Sequence, residues 1–214
     1  MFQVFNDLGV LTVDSSERQI RFVDKFVIAL TGEKTVISTG VLTKCWVAFG
    51  YTNGAFVSVV HDPSSGQVTL IHAANFAGRS VTVLLFAETA AYAEAVNYGL
   101  NVFLADGSLG FSTNQKPLVV MGNVLIGAQL NASVSIPANA FILSPPDIGR
   151  YIAGQVQTGG FGLFLVGVDV WSVGNGSLSR GQKIVAQVPD PNIYASVTPQ
   201  RPNIPILLVD GSRY

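Results

Sequence analysis

The chain has 214 residues, 49% hydrophobic and only 12% charged, with a net charge of −1. Ordinary globular domains carry about 25% charged residues, so this chain has half the usual means of keeping a surface wet. Its basic residues are scattered, which argues against a nucleic-acid surface, and its apolar stretches, such as 81–87 and 160–168, are less than half the ~20 residues that a spanning helix requires.

A membrane β-barrel fits poorly too, because many segments are too short to cross and the apolar ones lack clean alternation. The first residues, Met1 to Asp7, hold no basic region followed by an apolar one, so no cleavable signal is expected. The apolar surplus is therefore read as that of a subunit covered by its neighbours.

The chain opens with a hairpin signal. Val4 is expected opposite Val13 and Asn6 opposite Leu11. Strands follow at 20–30 and 44–50. The second of these holds Cys45, the one cysteine. It has no internal disulfide partner, and in a strand it reads as a small buried hydrophobe rather than a nucleophile.

A second hairpin is expected over 55–61 and 67–73, around a five-residue loop from Asp62 to Gly66. That register sets His61 opposite Gln67 and His72 opposite Phe56. From Gln67 to His72 is five residues, or ~17 Å at ~3.4 Å each. Ligands of one ion lie within ~2.0–2.2 Å of it, so His61, His72 and Asp62 are not expected to form a metal site. A strand at 80–86 closes this half. Residues 88–96 are the only run of strong helix formers and are read as one or two helical turns or a linker.

The second half opens with Asp106-Gly107, a dipeptide suited to a type I′ turn. That turn sets Leu104 opposite Leu109 and Val102 opposite Phe111. Further strands are expected at 118–126, 133–136, 161–173, 182–188 and 204–209. Pro189, Pro191, Pro199, Pro202 and Pro205 mark a late segment that should run along an edge.

The two halves repeat each other. At an offset of 98, Gly9 matches Gly107, Leu11 matches Leu109 and Val13 matches Phe111. Residues 51–56 resemble 156–161 at offset 105, residues 65–67 resemble 180–182 at 115, and residues 81–86 resemble 204–209 at 123. Offsets that only increase are what loop insertions in a second copy would leave. The expected fold is all-β, with two tandem β-sandwich-like domains related by internal duplication, over 1–95 and 96–214.

No catalytic, cofactor-binding or metal site is expected. No Gly-x-Ser-x-Gly elbow is present. The carboxylates, among them Asp14, Glu17, Asp24, Glu33, Glu88, Glu94, Asp147 and Asp169, are scattered singly. Gly159-Gly160-Phe161-Gly162 leads into a β pattern rather than a helix, so it is no phosphate loop. Asn131-Ala132-Ser133 and Asn175-Gly176-Ser177 match the glycosylation pattern by coincidence, given no secretory signal. Trp46, Tyr51, Phe56, Trp171 and Tyr194 are the aromatics available for a sugar platform, against the commoner reading of packing.

Tyr98-Gly99-Leu100-Asn101-Val102-Phe103, then Asp106-Gly107 and Phe111-Ser112, resembles small β modules in the tail-tip and tail-fibre proteins of long-tailed, siphovirus-like bacteriophages. Phe2-Gln3-Val4-Phe5-Asn6-Asp7 with Asp14-Ser15-Ser16 fits the same pattern, and residues 74–83 look like the closing strand. The likeness covers the first copy best, and the second departs after Val120. It implies a structural virion protein of the tail, made in the host cytoplasm and standing at or near the host-contacting end. It carries over no catalytic residues. It further implies a homo-oligomer, first of all a trimer, with other tail proteins and a host receptor as partners. The alternative is a carbohydrate-binding module of a bacterial surface protein, which needs an exposed aromatic platform.

Overall fold

Several segments alternate apolar and polar residues, and β-branched residues are frequent. In Gln67–His72, for instance, Val68, Leu70 and His72 turn inward while Gln67 is exposed. That is the pattern of strands with one face on a core. The computed structural model describes residues 3–5, 11–14, 19–42, 45–88, 100–113, 115–129, 131–143, 151–158, 161–190 and 203–214. These residues are all-β, and their only helical pieces are single 3-10 turns at Ala74–Phe76 and Gly211–Arg213.

The first half supplies β1 (Gln3–Phe5), β2 (Leu11–Asp14), β3 (Ile20–Ala29), β4 (Lys34–Ser38), β5 (Cys45–Gly50), β6 (Val57–Asp62), β7 (Gln67–His72) and β8 (Ser80–Glu88). The second supplies β9 (Asn101–Phe103), β10 (Leu109–Ser112), β11 (Val120–Ile126), β12 (Ser133–Ser135), β13 (Ala140–Leu143), β14 (Tyr151–Thr158), β15 (Phe161–Gly174), β16 (Ser177–Asp190) and β17 (Ile204–Asp210). β1–β2 and β9–β10 are two-stranded hairpins. The remaining strands form a six-stranded sheet, β11-β17-β13-β5-β8-β3, and a seven-stranded one, β12-β16-β15-β6-β7-β4, with β14 added alongside β15.

Both orders are palindromic once the halves are matched in chain order. β3, β4, β5, β6, β7 and β8 correspond to β11, β12, β13, β15, β16 and β17, and β14 is extra. This is the order that two like modules give when paired about a two-fold axis. The two small hairpins match residue for residue. Gln3↔Asp14, Val4↔Val13 and Phe5↔Leu11 recur 98 positions later as Asn101↔Ser112, Val102↔Phe111 and Phe103↔Leu109, each with a register shift at the same place.

The expected tandem arrangement, with a break between residues 95 and 96, needs a correction. Each sheet runs without interruption from one half into the other. β13 pairs with β5 through Ile142↔Phe49 and Leu143↔Ala48, and β15 pairs with β6 at Trp171↔Val57. Thr52 reinforces the second seam, its N–H donating to Val173 O at 2.9 Å and its hydroxyl accepting from Val173 N–H at 3.0 Å. The reason is the cost of open edges: a three-stranded module leaves unpaired backbone groups, and pairing edge to edge satisfies them. One core, with Phe49, Leu70, Leu85, Ile142, Trp171 and Ile206, fills the space between the sheets and draws on both halves. The helix or linker expected over 88–96 lies, beyond Glu88, outside the described residues.

Three registers differ from expectation, each for a local reason. The β9–β10 loop is not a two-residue type I′ turn. Gly107 N–H donates to Leu104 O and only Gly107 has positive φ, at 81°, so the turn is a type I turn followed by a left-handed glycine. Leu109 therefore faces Phe103 rather than Leu104, while Val102↔Phe111 holds. Leu11 likewise faces Phe5 rather than Asn6. The β6–β7 loop has four residues, because Asp62 pairs with Gln67. Ser64 N–H and Oγ donate to Asp62 Oδ1 at 2.9 and 2.6 Å, and Ser65 Oγ donates to Oδ2 at 2.7 Å, which draws the turn tight. Finally, Gly66 (φ 63°) closes the β6–β7 turn as Gly176 (φ 73°) closes the β15–β16 turn. Gly181 lies inside β16, so the match of 65–67 with 180–182 is not the structural one.

Candidate functional site

His61 faces Val68 and His72 faces Val57, so both histidines sit on the inner face of the β6–β7 hairpin but at opposite ends of it. His61 Nε2 is 3.2 Å from Val41 O. His72 is fully buried; its Nδ1–H donates to Ala73 O at 3.1 Å, which leaves Nε2 to accept the Thr35 hydroxyl at 3.0 Å. Each ring is held by backbone or hydroxyl partners at its own end of the hairpin. Among the described residues no three His, Cys, Asp or Glu side chains converge as a metal site would need. Cys45 is half-buried against the core, and burial pushes its thiol up to about 12. That is the opposite of an activated nucleophile.

The aromatics singled out in the sequence do not gather. Trp171 is buried in the core, Trp46 packs on the outer face of the six-stranded sheet, and Tyr51 stands edge-on to Phe141 at 5.2 Å. Tyr194 lies outside the described residues. Phe56 lines a concave surface.

That surface is a groove of about 370 Å³ between β16 and the turn Ala74–Phe76. Val170 and Gly181 line it together with the Phe56 and Phe76 rings, which are 6.3 Å apart and tilted by 37°. A Cβ on Gly181 would stand 2.7 Å from the Phe56 ring, so the absent side chain is what lets that ring lie on the strand. Asn75, Asn131 and Gln182 line the groove with uncharged amides, and Lys183 is at its side. The sequence did not single out Asn75, Phe76 or Gln182, because only the crossing of a loop from the first half over a strand from the second brings them together.

A second missed feature lies in the core. Asp169, which reads in the sequence as one scattered carboxylate, is buried with Arg180, a fully buried residue. The guanidinium rests 5.8 Å from the Trp171 ring centre and donates to Gly127 O at 3.1 Å. Arg180 N–H donates to Ala132 O at 2.8 Å. The pair thus ties the β11–β12 connection to β16.

The outer edges differ in chemistry. β3 carries Asp24 and Lys25, exposed charges that discourage edge-to-edge pairing. Its counterpart β11 reads Val-Met-Gly-Asn-Val-Leu-Ile, with no charge at all. Among the described residues β11 pairs with β17 alone. Leu125 is 63% exposed, Val120 48% and Leu207 on the neighbouring strand 42%. Pro205 pairs with Leu125 and extends the same apolar strip. The apolar stretch 160–168 and the proline-marked segment 189–205 fall in part outside the described residues, at 160 and 191–202.

No helix among the described residues is long and apolar enough to cross a membrane, which leaves β-barrel spanning unaddressed. Comparison with known proteins finds no matching family model, no matching curated protein and no matching solved structure.

Proposed function

We propose that the chain is a structural subunit of a bacteriophage tail tip or tail fibre, built to be covered by neighbours. The observation that carries the assembly half of this reading is the uncharged edge strand β11, with its exposed apolar strip. An open, apolar edge is a template for pairing with another chain, and soluble monomers blunt such edges with charge or proline. The 12% charged fraction points the same way. The tail half rests on the resemblance of residues 2–16, 74–83 and 98–112 to tail modules, and fold alone does not supply function. The expected partners are further copies of the chain, in a trimer first of all, other tail proteins, and a host receptor.

Gold-labelled antibody against the chain tests the assignment. Applied to virions released by the host that carries the gene, label is expected at the tail. Label on the bacterial surface, with none on virions, would replace this reading with that of a bacterial carbohydrate-binding module.

A further inference from the structure

The geometry of the groove beside β16 points to a binding site for a neutral saccharide, taken one or two pyranose rings at a time. This goes beyond the tail assignment and stands without it.

The lining sets the class of ligand. Phe56 and Phe76, with Val170 and Gly181, give the groove an apolar lining. The face of a pyranose ring that carries axial C–H groups packs against such aromatic rings, burying apolar area that water otherwise covers. Around it stand three primary amides, Asn75, Asn131 and Gln182. Each offers two donors and an acceptor, which matches hydroxyls that both donate and accept. A small volume, a partly apolar lining and a few placed polar groups are the usual form of a small-ligand site. At about 370 Å³ the groove lies at the small end of that range.

Charge decides between a neutral and an anionic ligand. Lys183 is the cation at the groove, and its ammonium is already committed. It donates to Glu33 O at 3.3 Å, to Glu33 Oε2 at 3.1 Å and to His72 O. An ammonium has three N–H donors, so none remains for a phosphate or carboxylate, and the Glu33 carboxylate offsets its charge. Arg79, the other nearby cation, lies 5.1 Å from the Phe76 ring centre and donates to Asn53 O at 2.8 Å. Uncharged hydroxyls are thus the groups that the free lining can recognise.

Saturation-transfer NMR on the purified chain, in whatever assembly state it adopts, tests the site. The probes are glucose, galactose and N-acetylglucosamine, with inorganic phosphate and trialanine as controls. Transfer to the ring protons of at least one sugar is expected, and none to trialanine. The surface double variant Asn75→Ala with Gln182→Ala should weaken that sugar about tenfold. Phe76→Ala should abolish transfer, with sedimentation of both variants unchanged from the parent. No transfer to any of the three sugars overturns the proposal. So does transfer that survives both variants, displacement of the sugar by phosphate, or preference for trialanine, which would mark a peptide site. A monomeric parent that still shows sugar transfer would count against the tail reading alone.

Discussion

Arg180 and Asp169 meet inside the sandwich, with Nε and Nη2 donating to separate carboxylate oxygens at 3.0 and 2.8 Å. Two parallel bonds fix both groups in one plane. Removing one partner leaves a buried charge uncompensated, at a cost of about 3–5 kcal/mol, whereas replacing both by apolar residues of similar size can be neutral. Asp169→Ala should therefore lower the urea midpoint sharply, and Asp169→Leu with Arg180→Met should recover most of the loss. A small effect of Asp169→Ala alone would mean that the pair does not hold the β11–β12 connection.

Phe141 marks the seam between the halves. Its ring lies against Gly50 on β5, where a Cβ would come within 3.0 Å, and against Gly211, where a Cβ would overlap the ring outright. Gly211→Ala must displace a fully buried aromatic, an overpacking that costs about 1–3 kcal/mol. Urea titration should show that loss with the slope unchanged, since both halves share one core and unfold together.

Burial raises the Cys45 thiol from its ordinary 9.0 to about 12. At pH 8 the native chain should resist iodoacetamide and react once unfolded. The sign for stability follows. Between about 9 and about 12 the unfolded thiol has lost its proton while the folded one keeps it, so native stability falls as pH rises through that window. Rapid alkylation of the native protein at pH 8 would contradict the burial.

Asp62 shifts the other way. The Ser64 hydroxyl, then the Ser65 hydroxyl and the Ser64 N–H, all donate to its carboxylate and lower it from 3.8 to about 2. The turn's stabilisation is complete above the ordinary value and is lost as pH falls toward 2. The side chain is fully exposed, so the energy is small. Carboxyl carbon NMR should place its midpoint near 2, and Ser64→Ala should move it up. An unshifted midpoint in the parent would show that the four-residue turn is not formed.

Alternation and turn chemistry made most strands legible, but Lys34–Ser38, Ala140–Leu143 and Tyr151–Thr158 were not among those expected. Val102↔Phe111, Val4↔Val13 and the 98-residue repeat of the small hairpins follow from local pattern. Loop length was less legible, since the Asp62 cap and the left-handed Gly107 each moved a register by one residue. Long-range pairing was not legible at all. Nothing near Phe49 or Ile142 announces that their strands join the halves into shared sheets. The groove was hidden for the same reason, and the Arg180–Asp169 pair because Arg180 falls outside the strand expected from 182. Asn75 meets Gln182 across more than 100 residues of sequence, and Asp169 finds Arg180 only because β15 and β16 fold back on each other.

Light scattering on the purified chain at micromolar concentration, alongside Leu125→Lys, tests the assembly claim most directly. The parent should run as a homo-oligomer, a trimer first of all. The variant, with a charge set into the uncharged edge of β11, should fall toward the 22.6 kDa of one chain. A dimer or hexamer would change only the subunit number. A stable parent monomer of 22.6 kDa would contradict the claim that this chain is built to be covered.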